Sequence, residues 1–246
     1  MSDTTNKVPA VIILRHGCDG GHSDPYKITF KDTVTISYSG KYKNIDGQTV
    51  VINNDRLGGL GQRQACALGF NLPSFLNEKY APVSRIITEN PGDGINGTAN
   101  PLNTIIPYIN AVTNLHGSQL KLDLHDNADF DKIKDVFKAS TILKDGENYS
   151  TIISWEAWTM WRNSDGEYQE KSILGTLVKD DQNPMLNNDD LSPRKGQTIY
   201  IFTGLNTDTE RFDTLEIYDF NPYTKAFKLL TTTDWPDKLC SKAQQH

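Results

Sequence analysis

Residues 12 to 17 read Ile12-Ile13-Leu14-Arg15-His16-Gly17, and they end an apolar run that begins at Val11. A short apolar run of this kind predicts a buried strand, and this strand would place an Arg and a His directly after its last apolar residue. Ligands of open α/β folds bind outside the carboxyl ends of the strands. The stretch therefore predicts a site for an anion, most naturally a phosphate, at the tip of the first strand.

The overall charge limits the kind of partner that this chain can bind. Its 246 residues carry a formal net charge of -6, and 37% of them are hydrophobic. An acidic surface disfavours general binding to nucleic acid or to an anionic membrane. We therefore expect a small anionic ligand held in a local basic pocket, with no nucleic acid and no membrane as partner.

The cysteines and the apolar runs bear on the compartment. The three cysteines, Cys18, Cys66 and Cys240, fit neither a zinc pattern nor a disulfide framework. The stretch 1–7 is polar, unlike a signal peptide, and no apolar run approaches the roughly 20 residues that span a bilayer. These features predict a cytoplasmic protein.

Apolar patterns along the chain predict alternating strands and helices. The predicted strands are 7–14, 83–88, 151–154, 198–203 and 214–218, the last of them antiparallel at an edge. The predicted helices are 61–72 with a continuation over 73–80, 101–113 with a kink or restart at Pro107, 128–139 and 170–178. This alternation predicts a single domain over 1–246, with a three-layer α/β/α sandwich and a mainly parallel sheet. A β-hairpin insertion near residues 27–52 would form a lid beside the site.

Five segments in order resemble the histidine phosphatase superfamily, whose fold is that of the phosphoglycerate mutases. The first is Leu14-Arg15-His16-Gly17, the Arg-His-Gly signature. The others are 57–68 (LGGLGQRQACAL), 100–104 (NPLNT), 152–157 (IISWEA) and 211–218 (RFDTLEIY). They resemble the family's "Leu-Thr-x-x-Gly-x-x-Gln-Ala", "Arg-x-x-Gln-Thr", "Ser-Trp-Glu-His" and "Tyr-Asp-x-Val-Trp-Val-Leu" stretches.

The resemblance implies a phosphatase mechanism on named residues. His16 would attack phosphorus and become a phosphohistidine, while Arg15 would hold the phosphoryl oxygens with its planar fork of donors. Glu89 and Glu156 follow predicted strands on the same side, and one such carboxyl would donate a proton to the leaving group. Substrate contacts are expected from Gly17, Asn100, Trp155 and His22. The mechanism needs no cofactor and no metal.

The sequence departs from the family pattern at two positions. Asn100 stands where the family has a second Arg, and Ala157 stands where it has a second His. These losses predict reduced or altered activity; the alternative is an inactive protein that binds a phosphate or another anion. The residues that could replace the lost groups are Arg63, Arg162, His22, His116 and His125. Arg85 lies near the start of its predicted strand and is therefore expected at the wrong end of the sheet.

Other interpretations of the same residues stay open. His16 with two carboxylates would also suit acid–base chemistry on a different substrate, or a divalent metal. The spacing of Trp155, Trp158 and Trp161 is that of a recognition surface and equally of one packed helix face. Cys18 fits a small buried thiol better than a nucleophile.

Overall fold

The computed structural model of the chain describes residues 7–18, 40–43, 49–52, 57, 59–91, 99–116, 120–126, 133–143, 148–156, 160, 172–177 and 197–234. The strands there are β1 Val11–Arg15, β2 Gly40–Lys43, β3 Thr49–Ile52, β4 Val83–Glu89, β5 Lys121–His125, β6 Ser150–Trp155, β7 Thr198–Asn206, β8 Arg211–Asn221 and β9 Ala226–Asp234. The helices are α1 Gly59–Lys79, α2 Asn100–His116, α3 Ala139–Ile142 and α4 Ile173–Leu177, with a 3-10 helix at Lys134–Phe137.

The main sheet has seven strands in the order β5-β4-β6-β1-β7-β8-β9. The neighbours from β5 to β1 pair in parallel, whereas β1–β7, β7–β8 and β8–β9 pair antiparallel. The fold is therefore α/β, but the prediction of a mainly parallel sheet is wrong, because the longest strands form an antiparallel meander. Since β1, β4, β5 and β6 are parallel, their carboxyl ends share one edge of the sheet.

Two side-chain-capped turns explain the antiparallel half. The Asn206 side chain accepts the backbone N–H groups of Asp208 and Thr209, and the Asn221 side chain accepts those of Tyr223 and Thr224. Asn side chains that bind the backbone two and three residues on favour tight turns. The chain therefore reverses after β7 and again after β8, which places β9 at the antiparallel edge.

Apolar side chains form a core on each face of the sheet. Alternate residues of β1 contribute to the two cores, with Ile13 on one face and Ile12 on the other. The face of Ile12 is covered by α1 and α2, and the face of Ile13 by the short helical segments that follow β5 and by α4. Within the described residues the second covering consists of short pieces, so a regular three-layer sandwich stays a prediction.

The two long helices continue through their prolines. Pro73 lies inside α1 and Pro107 lies inside α2, although an internal proline removes one helical hydrogen bond. The predicted restart at Pro107 is therefore wrong. Pro107 packs where the side chain of Gly69 would be, since a Cβ on Gly69 would lie 2.5 Å from the Pro107 Cβ. Because Gly69 has no side chain, α1 and α2 approach each other closely at this point.

Two predicted elements coincide only in part with the structure. β2 and β3 pair antiparallel as a separate two-stranded sheet, which agrees with a hairpin in this region. The stretch 27–38 and the proposed lid contact lie outside the described residues. The helix predicted over 128–139 is, where described, the 3-10 turn Lys134–Phe137 followed by α3.

A buried carboxylate joins the end of α1 to β8, far from the tip of β1. Glu216 accepts hydrogen bonds from Lys79, from the Tyr80 hydroxyl and, at 2.9 Å, from the Tyr218 hydroxyl. Burial by itself would raise the pKa of the Glu216 carboxyl, but these three donors outweigh burial and hold the pKa below its ordinary value. Burial and the bond to Glu216 raise the pKa of Tyr218 to about 12.

We expect Glu216→Gln to lower the free energy of unfolding by about 2 kcal/mol at pH 7, because two buried hydroxyls lose a charged acceptor. A carboxylate with a lowered pKa stabilises the fold above its unfolded value, near 4.5, and that stability is lost as the pH falls through the folded value. The difference in the free energy of unfolding between wild type and variant should therefore shrink on acidification below about pH 4.5. Urea titrations at several pH values measure it, with exposed Glu78→Gln as control. A difference that does not change with pH would contradict the assignment.

Candidate functional site

The tip of β1 places Arg15 and His16 at the carboxyl edge of the parallel strands. Arg15 is the last residue of β1 and lies beside Trp155 in the register with β6. The backbone N–H of His16 donates to the Trp155 carbonyl at 3.3 Å, which continues the strand pairing by one residue. Arg15 is half-buried, and His16 is only 4% exposed. Both residues therefore lie at the tip of the first strand, where the sequence places them.

One hydrogen bond fixes the protonation of the His16 ring. The Nδ1 atom lies 2.7 Å from the backbone carbonyl oxygen of Gly17. A carbonyl oxygen only accepts, so Nδ1 must carry the hydrogen. In the neutral ring, Nε2 then holds the lone pair. Because the Gly17 carbonyl fixes the proton on Nδ1, Nε2 is the ring nitrogen that can act as a nucleophile or a base.

Two buried side chains hold the loop that follows His16. The N–H of Gly17 donates to the Thr104 hydroxyl at 2.8 Å, and that hydroxyl donates to the Asn100 carbonyl at 2.8 Å. The N–H of Cys18 donates to Oε1 of Gln64 at 2.9 Å. Because Gln64 belongs to α1 and Thr104 to α2, both helices fix the position of the His16 loop.

Two glycines bring the start of α1 into direct contact with the same loop. A Cβ on Gly61 would lie 2.0 Å from the Cys18 carbonyl oxygen, and a Cβ on Gly17 would lie 2.9 Å from the Gly61 carbonyl oxygen. Backbone therefore packs on backbone at this point, which only glycine allows. The first turns of both long helices begin near the loop, and their N–H groups give this region a positive potential.

The two predicted carboxylates lie on the strands next to β1. Glu156 directly follows β6, and its N–H donates to Oε1 of Glu89 at 2.9 Å. Glu89 is the fully buried last residue of β4. Neighbouring strands are about 4.8 Å apart, so Glu156 is one strand spacing from His16 and Glu89 is two. Glu156 is the nearer carboxyl to His16 along the sheet edge.

His125 ends β5 and extends the same row of residues. It pairs with Glu89 in the register, and its carbonyl accepts the N–H of Asn90. Burial lowers the pKa of His125 below its ordinary value, so the ring is neutral at pH 7. His125 is three strand spacings from Arg15, about 14 Å, which is too far to bind the same phosphoryl group.

The other predicted site residues have different outcomes. Asn100 is the fully buried first residue of α2, at the edge where the resemblance has an Arg. Gly17 is buried, and both of its backbone polar groups bind within the chain. The Arg85 guanidinium binds Asp123 at 2.5 Å and the Thr141 carbonyl at 2.7 Å, so its role is structural. His22 and Ala157 lie outside the described residues.

Trp155 is a core residue and presents no exposed surface to a ligand. It is fully buried and packs edge-on against Phe137, with ring centroids 5.1 Å apart. The reason is its place in β6, where it follows Ile153 on the same inward face. Its predicted role in substrate binding is therefore corrected, while Trp158 and Trp161 lie outside the described residues.

Thr104 and Gln64 are positioning residues that sequence reasoning did not single out. Both lie in segments quoted for the family resemblance, but nothing in their local pattern distinguishes them from ordinary helix polar residues. The signal that identifies them is complete burial of a polar side chain, which costs free energy unless it is hydrogen-bonded. Burial is a tertiary property that one sequence does not display.

We expect Thr104→Val to lower the free energy of unfolding by about 1–3 kcal/mol, because the buried N–H of Gly17 loses its acceptor. Chemical denaturation measures the change. Thr113→Val is the matched control, since Thr113 makes the same bond to the carbonyl four residues earlier, at 2.7 Å, on an exposed part of α2. Equal losses in the two variants would mean that the bond to Gly17 contributes nothing.

The described part of the chain holds neither a group of metal-binding side chains nor a membrane-spanning helix. No three or more His, Cys, Asp or Glu side chains are grouped there so that they would hold a metal ion. None of the helices described above is both long and apolar enough to cross a membrane.

Comparisons with known proteins give limited similarity. No protein-family model matches the chain, and no curated protein matches it. Among solved structures, the chain is similar to the "putative phosphohistidine phosphatase SixA from Agrobacterium tumefaciens", with a TM-score of 0.31 and 11% sequence identity. The alignment covers 92% of this chain and 96% of the other. Similarity at this level establishes neither a shared fold nor a shared activity.

Proposed function

We propose that the chain is a histidine-phosphatase-like hydrolase of small phosphorylated substrates, with His16 as the nucleophile. The observation that carries this proposal is the 2.7 Å contact between Nδ1 of His16 and the Gly17 carbonyl. In the neutral ring this contact places the lone pair on Nε2, and the ring lies at the carboxyl end of a parallel strand. A nucleophilic imidazole needs this tautomer and a fixed orientation.

Arg15 supplies the charge that a phosphoryl group requires. It precedes His16 directly, and its guanidinium offers donors in a planar fork that matches phosphate oxygens. The first N–H groups of α1 and α2 add partial positive charge beside the loop. Phosphoryl transfer depends mainly on positioning and charge stabilisation, so these groups support a phosphate rather than a neutral ligand.

Glu156 is the proposed proton donor. In the first step Nε2 of His16 attacks phosphorus, the bond to the leaving oxygen breaks, and that oxygen takes a proton from the Glu156 carboxyl. In the second step the Glu156 carboxylate removes a proton from water, which attacks the phosphohistidine and releases phosphate. Glu89 holds the backbone of Glu156 through its N–H and is therefore a positioning residue.

The turnover should be slow compared with that of the family that the sequence resembles. Asn100 is neutral where the family pattern has a second Arg, and Ala157 replaces a second His. Losing one preorganised donor costs about 10²–10³ in rate. The competing function is a protein that binds phosphate through Arg15 without turnover, and Asn100 is the observation that favours it. A cytoplasmic location remains a prediction from the sequence.

Trapping the phosphoenzyme tests the proposal. The protein is incubated with a phosphomonoester carrying labelled phosphate, quenched in base, and mapped by mass spectrometry. A base-stable, acid-labile label on His16, with release of phosphate over time, is the expected result. Phosphate binding by calorimetry without any label would favour the inactive binding protein. If the protein neither acquired a label on His16 nor bound phosphate, both functions would be overturned.

A further inference from the structure

We propose that a cavity between the first two turns of α1 and α2 holds the uncharged organic group of the phosphorylated substrate, with Asn103 as its specificity-determining residue. This inference rests on the proposed function, since it assigns the part of the substrate that leaves with the ester oxygen. The cavity has a volume of about 330 Å³, within the range of small-molecule sites. An apolar cavity of about 150 Å³ already admits benzene, so this one has room for a substituted ring.

The packing of the two helices creates this cavity. Pro107 packs against Gly69, where α1 and α2 are in close contact, and Pro107 is also a wall of the cavity. Nearer the starts of the two helices, the cavity is lined by Ala65 and Ile106. The Ile106 side chain is 38% exposed, although burial of such a side chain is favourable. An apolar group in the cavity would gain this burial.

The polar groups in the cavity are uncharged. None of the described residues that line it is acidic or basic, so a charged group there would lose its hydration without gaining a partner. The side-chain amide of Asn103 lines the cavity, is half-buried and makes no hydrogen bond within the described residues. Nε2 of Gln62 donates to the Leu57 carbonyl at 3.2 Å, which leaves Oε1 of Gln62 as an acceptor. The cavity therefore favours a neutral, mainly apolar group that donates and accepts hydrogen bonds.

Leu57 connects the cavity to the His16 loop. Its side chain lines the cavity, and its Cδ2 atom would lie 3.2 Å from a Cβ on Gly17. Gly17 directly follows the proposed nucleophile, so the cavity begins one side chain away from the loop that positions His16. Arg15 supplies positive charge on the β1 side of this loop, and the cavity supplies a neutral surface on the helix side. The two regions together suit a phosphomonoester of a neutral, ring-sized alcohol.

Alkylation of Cys66 measures occupancy of the cavity without any phosphate chemistry. The Cys66 thiol is free, exposed and part of the cavity lining, and peptide mass spectrometry follows its reaction with N-ethylmaleimide. The probe is benzamide, a neutral ring with one donor–acceptor group. For so small a ligand we expect a dissociation constant of about 1 mM, so benzamide at about 10 mM should slow the alkylation about tenfold. Benzoate has a similar shape and a negative charge, and it should leave the rate unchanged.

Asn103→Leu tests whether the group in the cavity belongs to the substrate. With 4-carbamoylphenyl phosphate we expect the variant to raise KM about tenfold, because the carboxamide of the substrate loses its partner. With methyl phosphate, which has no ring to place in the cavity, KM should not change, whereas a structural loss in α2 would raise both values. Asn110→Leu, at an exposed position of the same helix, is the matched control and should change neither. If the protein binds phosphate without turnover, dissociation constants measure the same difference.

The outcomes separate this inference from the proposed function. If benzamide failed to protect Cys66 while His16 still acquired a phosphate label, the inference would be overturned and the hydrolase would stand. If benzamide protected Cys66 but Asn103→Leu had the same effect on both substrates, the cavity would bind a separate molecule, and its assignment to the substrate would be wrong. A protein that neither hydrolysed nor bound phosphomonoesters would overturn the proposed function, and with it this assignment, at any rate of alkylation.

Discussion

Replacing His16 with Ala is expected to abolish phosphate release, with kcat reduced by about 10⁴-fold or more. The reason is that the proposed reaction runs through a covalent bond between phosphorus and Nε2 of His16. Among the described residues at the tip of β1, His16 is the one whose ring tautomer is fixed for nucleophilic attack. Release of p-nitrophenol from p-nitrophenyl phosphate measures the rate. Binding of inorganic phosphate, followed by calorimetry, should persist because Arg15 is unchanged.

His125→Ala is the matched control for this experiment. His125 ends β5 at the same edge of the sheet and is neutral, but it lies three strands from Arg15. Its loss should leave kcat within about tenfold of wild type, because a group about 14 Å away does not touch the reacting phosphoryl group. If both variants kept the wild-type rate, His16 would have no part in the reaction. If His125→Ala alone were inactive, the nucleophile would be assigned wrongly.

The parallel half of the fold was predictable because its signals are local. Apolar runs that end in polar residues marked β1, β4 and β6, and helical spacing marked α1 and α2. β5 was missed because only two of its five residues are apolar and both are exposed. β9 was missed because the turn before it depends on the side chain of Asn221, whose role becomes visible only through its bonds to Tyr223 and Thr224.

The positions of the main candidate residues were predictable from the sequence, whereas the side chains that hold the His16 loop were not. Arg15 and His16 follow directly from a strand ending in charge, and Glu89 and Glu156 from the same rule on two neighbouring strands. The supports come from distant parts of the chain, since Gly17 binds Thr104 and Cys18 binds Gln64. Such pairings arise from helix placement, which the sequence alone does not determine. Trp155 was misassigned because its position after Ser154 resembles a strand end but its side chain belongs to the core.

Gly61→Ala is expected to lower the free energy of unfolding by about 3 kcal/mol, and to lower the melting temperature by about 10 °C. Helix propensity alone would make the variant more stable, because alanine favours a helix over glycine by about 1 kcal/mol. A loss of stability would therefore show that the steric contact outweighs propensity. The new Cβ would lie 2.0 Å from the Cys18 carbonyl oxygen, and backbone atoms cannot move aside as a flexible side chain does. The start of α1 or the His16 loop must therefore shift. Calorimetry of the variant measures the loss.

Gly69→Ala separates the effect on the loop from the effect on stability. A Cβ on Gly69 would lie 2.5 Å from Pro107, so this variant also strains α1, but at its contact with α2 and away from His16. Both variants should be less stable than wild type, while only Gly61→Ala should lose activity per folded molecule, by about 10²-fold, because a shift of about 1 Å misplaces the nucleophile. Ser74→Ala, at an exposed position of the same helix, should match wild type in both respects. A Gly61→Ala protein with wild-type stability and rate would show that α1 does not contact the His16 loop in solution.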